Sequence, residues 1–143
     1  MIYFLDASAW VKRYVAEAGS EDLRSLLRRR TELAASRLSA VEVPAALARR
    51  ARDGHVANDV AKTAAARFLQ DFADVRVVEP RGRVVALATD LVWRHALRAY
   101  DSMQLASALH FTRETSLAVT VVCSDANLCS AAVAEGVRRL KVA

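Results

Sequence analysis

Four carboxylates stand apart from the other acids of this sequence: Asp6, Glu42, Asp101 and Asp125, each set in an apolar run. A fold that gathers such groups must offset their repulsion, since two carboxylates about 4 Å apart repel by roughly 4 kcal/mol at an effective dielectric of 20. A divalent cation reverses the sign. No Cys or His falls at ligand spacing to these acids, and oxygen-only ligation favours Mg²⁺ or Mn²⁺, ions that keep waters and bind phosphate oxygens. The three histidines read as structural or solvated: His55 follows a turn, His110 falls in an apolar helix and His95 precedes that helix.

Two of the four acids also have a capping reading. Asp101 followed by Gln104 has the spacing of an N-cap with its reciprocal partner, and Ser39-x-x-Glu42 has that of a capping box. Either carboxylate could therefore serve its own helix alone. Most other acids fall in polar or helix-end contexts, and Asp90 has Arg94 at i+4 as an ordinary pair.

The elements that carry these acids follow from hydrophobic periodicity. Ile2-Tyr3-Phe4-Leu5 is apolar at every position, the pattern of a strand buried on both faces in a parallel sheet, and Asp6 follows it at once. Ser8 to Val15 reads as a short helix bearing Trp10, with Gly19 as its stop; a second helix is predicted over Glu21 to Arg30. A short strand at Leu33 to Ala35 precedes a helix that begins near Ser36 or Ser39 and carries Glu42. Pro44 is expected to kink that helix, and Asp53-Gly54 ends it. A helix over Ala57 to Phe72 would present Val60, Ala64, Phe68 and Leu69 on one side, followed by a strand at Asp74 to Val78 and a helix over Val84 to Leu97. The Asp101 helix runs to about Thr112. The strand Val119 to Cys123 then leads into Ser124-Asp125, a helix at Leu128 to Glu135 capped by Gly136, and a last strand at Arg138 to Val142.

Strands separated by helices indicate one domain over residues 1–143, an α/β sandwich with a mainly parallel sheet. Such sheets bind ligands beyond the carboxyl ends of their strands. Asp6 and Asp125 each directly follow a strand, so they share that edge.

The net charge of +5 is carried by 18 arginines and 3 lysines. Residues 24–52 hold Arg24, Arg28, Arg29, Arg30, Arg37, Arg49, Arg50 and Arg52 against only Glu32 and Glu42. Arginine suits phosphate oxygens, so this stretch is either a nucleic-acid surface or a solvated face. No apolar run approaches the ~20 residues of a membrane span. With no amino-terminal signal pattern and no zinc spacing around Cys123 and Cys129, the protein is expected in the cytoplasm with both thiols reduced.

In this order, the segments IYFLDASAW, LSAVEVPAALAR, LRAYDSMQLASAL and VVCSDANL resemble the PIN-domain ribonucleases, and more narrowly the VapC toxins of type II toxin–antitoxin modules. The resemblance implies a PIN-like three-layer α/β/α sandwich and Mg²⁺- or Mn²⁺-dependent hydrolysis of RNA phosphodiesters, leaving a 5′-phosphate and a 3′-hydroxyl. Carried over residue by residue, it makes Asp6, Glu42, Asp101 and Asp125 the catalytic acids. Asp6, Asp101 and Asp125 hold the metal, and Ser8 positions the metal or its water. Arg98, Arg49, Arg50 and Arg52 are candidates to hold the RNA backbone, although Arg98 could instead pair with an acid in the free protein. A small antitoxin whose tail covers the pocket and a homodimer are implied partners, with Trp10, Trp93 or Phe111 as candidate interface residues. The resemblance departs at Ala126-Asn127, where many relatives carry a further charged residue. A different class of function is a catalytically inert PIN-like module that works by binding a partner protein or RNA. A phosphotransfer site built on Asp6 is disfavoured, because a haloacid-dehalogenase-type site needs an Asp where Ser8 stands and a receiver-type site needs a lysine after a late strand.

Overall fold

The computed structural model describes residues 1–29 and 31–143, and its five strands form a single sheet in which every pairing is parallel. The strands are β1 (Ile2–Leu5), β2 (Glu32–Ser36), β3 (Arg76–Val78), β4 (Val119–Cys123) and β5 (Arg138–Lys141), in spatial order β3-β2-β1-β4-β5. The helices are α1 (Ala7–Tyr14), α2 (Ser20–Leu27), α3 (Ser39–Arg52), α4 (Asn58–Phe72), α5 (Gly82–Arg94), α6 (Ala99–Thr115) and α7 (Ala126–Ala134). Strand order reverses direction between β1 and β4, which makes their carboxyl ends the switch point where ligands bind in open parallel sheets.

Alternation along β1 builds the two helical layers. Tyr3 and Leu5 pack with Trp10, Val43, Leu47 and Phe68 of α1, α3 and α4, whereas Ile2 and Phe4 pack with Leu91, Leu105 and Leu128 of α5, α6 and α7. Sandwiched this way, β1 has no solvent face, which explains its unbroken apolar run. The register pairs Leu5 with Val122, and the Asp6 N–H continues the ladder by donating to Val122 O at 3.2 Å. Chain leaving β1 and chain leaving β4 therefore emerge side by side.

Several expectations are corrected. The buried face of α4 is Ala61, Ala64, Phe68 and Phe72, one continuous helical stripe, while Val60 and Leu69 are exposed. Arg94 does not pair with Asp90; its guanidinium reaches Glu135 at the end of α7, at 3.0 and 3.1 Å, and His95 joins the same carboxylate at 2.7 Å. The helix α3 runs unbroken through Pro44. The second helix ends at Leu27 rather than continuing as far as expected, and Arg30 lies outside the described residues.

The thiols are not free: Cys123 and Cys129 form a disulfide, with Cα atoms 6.0 Å apart. Only Ser124 and Asp125 separate β4 from α7, so the chain turns back at once. The last residue of the strand then lies beneath the buried face of the helix, where Cys129 sits. None of the described helices is long and apolar enough to cross a membrane.

Candidate active site

Asp6 is the first residue beyond β1 and the N-cap of α1. One carboxylate oxygen accepts from the Ala9 N–H at 2.8 Å, and the Ser8 hydroxyl lies 2.8 Å from both oxygens. The side chain is only 3% exposed, and among the described residues it has no ion-pair partner. Burial pushes its pKa from 3.8 to about 7; the Ala9 and Ser8 hydrogen bonds oppose the rise, and the charges of Asp101 and Glu42 add to it. Asp125 plays the corresponding part beyond β4, capping α7 by accepting from the Leu128 N–H at 2.9 Å.

Glu42 and Asp101 are held differently. Both lie inside the first turns of their helices, and the caps of α3 and α6 are Leu38 and Arg98, neither of which uses a side-chain hydrogen bond. The capping readings of Asp101 and of Ser39-x-x-Glu42 are therefore overturned. Instead, the Gln104 amide nitrogen of α6 donates across to α3, to Glu42 Oε1 and to Ser39 Oγ, each at 3.1 Å. Burial, together with the charge of Asp101, raises the Glu42 pKa, against the lowering effect of the Gln104 hydrogen bond. Asp101 accepts from Arg98 Nε at 3.2 Å, and Arg98 Nη2 lies 3.9 Å from Asp125. Because the Arg98 side chain is 82% exposed, each of these pairs contributes at most about 1 kcal/mol.

All four acids line one cavity of about 690 Å³, together with Ser8, Arg49, Arg50, Arg98, Tyr100, Gln104 and Ser124. Val11, Leu38, Val41, Ala45 and Ala46 form an apolar wall. Of the basic candidates, Arg50 is tied to Glu17 at 3.0 Å, Arg49 is exposed at the cavity, and Arg52 stands outside it on the surface. Elsewhere in the arginine-rich stretch, Arg28 pairs with Glu21 and Arg37 with Glu79.

Among the described residues, no three His, Cys, Asp or Glu side chains gather closely enough to hold an ion as they stand. The donor chemistry nonetheless fits a hard divalent cation. The cavity's acids offer oxygen only, Asp6 faces two further carboxylates without a counter-charge, and the one guanidinium that spans Asp101 and Asp125 already puts a cation between them.

Sequence reasoning missed Gln104 and Tyr100 as cavity residues. Gln104 had a signal, its i+3 spacing from Asp101, but that spacing was spent on a cap. Its Oε1 is buried without a hydrogen-bond partner among the described residues.

Helices on both faces of a parallel sheet, with acids converging at its switch point, define the class. The PIN domain model matches residues 3–134, and the chain belongs to the PIN-domain family. It is 41% identical over 110 residues to ribonuclease VapC45 of Mycobacterium tuberculosis (strain CDC 1551 / Oshkosh), covering 76% of this chain and 75% of that one. Among solved structures it resembles VapC20 of Mycobacterium tuberculosis, described as a sarcin-ricin loop cleaving toxin, with a TM-score of 0.68 and 19% identity over 90% of this chain and 94% of that one. It also resembles VapBC2 of Rickettsia felis bound to a promoter DNA fragment, with a TM-score of 0.65 and 10% identity over 99% and 98% of the two chains. At such identities these two likenesses are of fold.

Proposed function

We propose that this chain is a divalent-metal-dependent endoribonuclease that serves as the toxin of a toxin–antitoxin pair. The observation that carries the reading is the convergence of Asp6, Glu42, Asp101 and Asp125, from four separate elements, on one cavity at the carboxyl edge of the sheet. Asp6, Asp101 and Asp125 are the groups that would hold Mg²⁺ or Mn²⁺, with Glu42 contributing directly or through water. The ion would supply an acidified water and stabilise charge on the phosphoryl oxygens. The Ser8 hydroxyl steadies the Asp6 carboxylate, and the Asp6 cap on α1 fixes its direction. Arg98 balances Asp101 and Asp125 in the free protein and is long enough to turn to an RNA phosphate; Arg49 offers a second phosphate contact at the cavity. Hydrolysis would leave a 5′-phosphate and a 3′-hydroxyl.

A small antitoxin protein is the proposed partner, supported by the likeness of fold to a VapBC assembly. A homodimer is also proposed, and here Trp10 is withdrawn as an interface residue because it is fully buried, while Trp93 is 87% exposed on α5. The cytoplasm is the proposed place of action.

The purified chain should cleave RNA, lose that activity in EDTA and regain it with Mn²⁺. Asp101→Asn should be inactive with an unchanged circular dichroism spectrum. Full activity in that variant, with contaminating nuclease excluded, overturns the assignment. An inactive wild-type chain that still binds a partner tightly would mark an inert binding module instead.

A further inference from the structure

Gln104 is 2% exposed, yet it lines the acidic cavity from α6, three residues after Asp101 and on the same helical face. Both protons of its amide nitrogen are spent on α3, one on Ser39 Oγ and one on Glu42 Oε1, at 3.1 Å each. The amide oxygen is buried and finds no partner among the described residues. A side chain kept here for packing alone would be better served by methionine, which fills nearly the same volume and leaves no unpaired acceptor. The two donor contacts tie the Gln104 side chain to α3. Ser39 fixes the plane of the amide, and the remaining proton is then aimed at Glu42.

Two i,i+3 pairs are involved, Ser39 with Glu42 on α3 and Asp101 with Gln104 on α6. Each has the spacing of a capping motif, and neither caps its helix. The pairs face each other, and Gln104 joins them. We infer that Gln104 is a positioning residue that holds the Glu42 carboxylate in place at the cavity, and that it acts on the reaction only through Glu42. This rests on the ribonuclease reading given above.

The test compares Gln104→Met, Glu42→Ala, the combination of those two, Ser39→Ala and Asp101→Asn, with steady-state cleavage of an RNA, thermal melting and the side-chain amide signals of Gln104 in ¹⁵N-labelled protein as readouts. Gln104→Met should lower kcat by about tenfold, with KM for RNA within about twofold, and should melt at or above the wild-type temperature. Glu42→Ala should shift one of the two Gln104 amide protons, and Ser39→Ala the other. Combining Gln104→Met with Glu42→Ala should cost no more than Glu42→Ala alone. Wild-type kcat in Gln104→Met, a fall in melting temperature with kcat intact, or amide protons indifferent to Glu42→Ala would each overturn the inference. If Asp101→Asn is inactive while Gln104→Met is fully active, only this inference fails; if Asp101→Asn is active, the ribonuclease reading fails instead.

Discussion

Asp6 and Asp125 leave the ends of adjacent strands and accept hydrogen bonds from the backbone of the helices they cap, whereas Glu42 and Asp101 sit within helical turns and are held by other side chains. The first pair inherits the rigidity of the sheet through these caps, and Arg98 approaches Asp125 only at 3.9 Å. The second pair depends on Gln104 and Arg98, and so its placement can be adjusted without disturbing either helix. Two carboxylates of the cavity are thus held by backbone N–H groups and two by side chains.

Activity should be the quantity most sensitive to either pair. Asp6→Asn and Asp101→Asn should each lower RNA cleavage by more than about a hundredfold, beyond what loss of an outer contact does. If only the strand pair matters in a cleavage assay, the two-pair picture collapses to a single essential pair.

Stability should then separate the pairs. Asp6 binds its proton more tightly folded, at about pH 7, than unfolded, near 3.8, so ionisation of this buried group works against the fold. Its destabilising effect grows as pH rises from about 4 to about 7 and is complete above that. In EDTA at pH 8, Asp6→Asn should therefore be more stable than wild type, by up to about 4 kcal/mol, and the gap should close by pH 4. Denaturant melts across that range check the sign; a less stable Asp6→Asn at pH 8 would refute it.

Asp125→Ala should lose about 1 kcal/mol through its missing cap, and Asp125→Asn should restore most of it. Asp101→Ala, which removes no cap, should lose less than Asp125→Ala when both are melted under the same conditions. The smallest effect is expected from Arg98→Ala, whose exposed ion pairs should change the unfolding free energy by less than about 0.5 kcal/mol. A larger loss would mean that Arg98 anchors the start of α6 rather than merely screening the acids.

The strands most legible in the sequence were β1, an unbroken apolar run, and β4, apolar except at Thr120, since burial on both faces favours such runs and each ends where the strand ends. The edge on which Asp6 and Asp125 meet followed directly from that. Helix faces were less legible: Val60 and Leu69 satisfied a helical period as well as Ala61 and Phe72, and only the position of the sheet decides between them. Capping was misassigned because i,i+3 spacing does not say which residue is the first outside the helix. The true side-chain caps, Asp6 and Asp125, were concealed by following strands so closely that they read as strand ends. The partners of Gln104 lie 62 and 65 residues away, a separation no local pattern reports. The disulfide depends on how tightly the chain reverses between β4 and α7, which a spacing of six residues does not reveal.

The two tryptophans give the molecule a pair of optical reporters with opposite sensitivities. Trp10 is fully enclosed on α1, the helix capped by Asp6, with Phe68 at 5.5 Å and Phe72 at 6.3 Å between ring centres. Trp93 is 87% exposed on α5, in the opposite layer. Acrylamide should quench Trp93 and spare Trp10, so a Trp93→Phe protein would glow only from the interior. Its emission would then follow loosening of the layer beneath Asp6, while loss of quenching at Trp93 in the unaltered protein would signal that another chain has settled on α5.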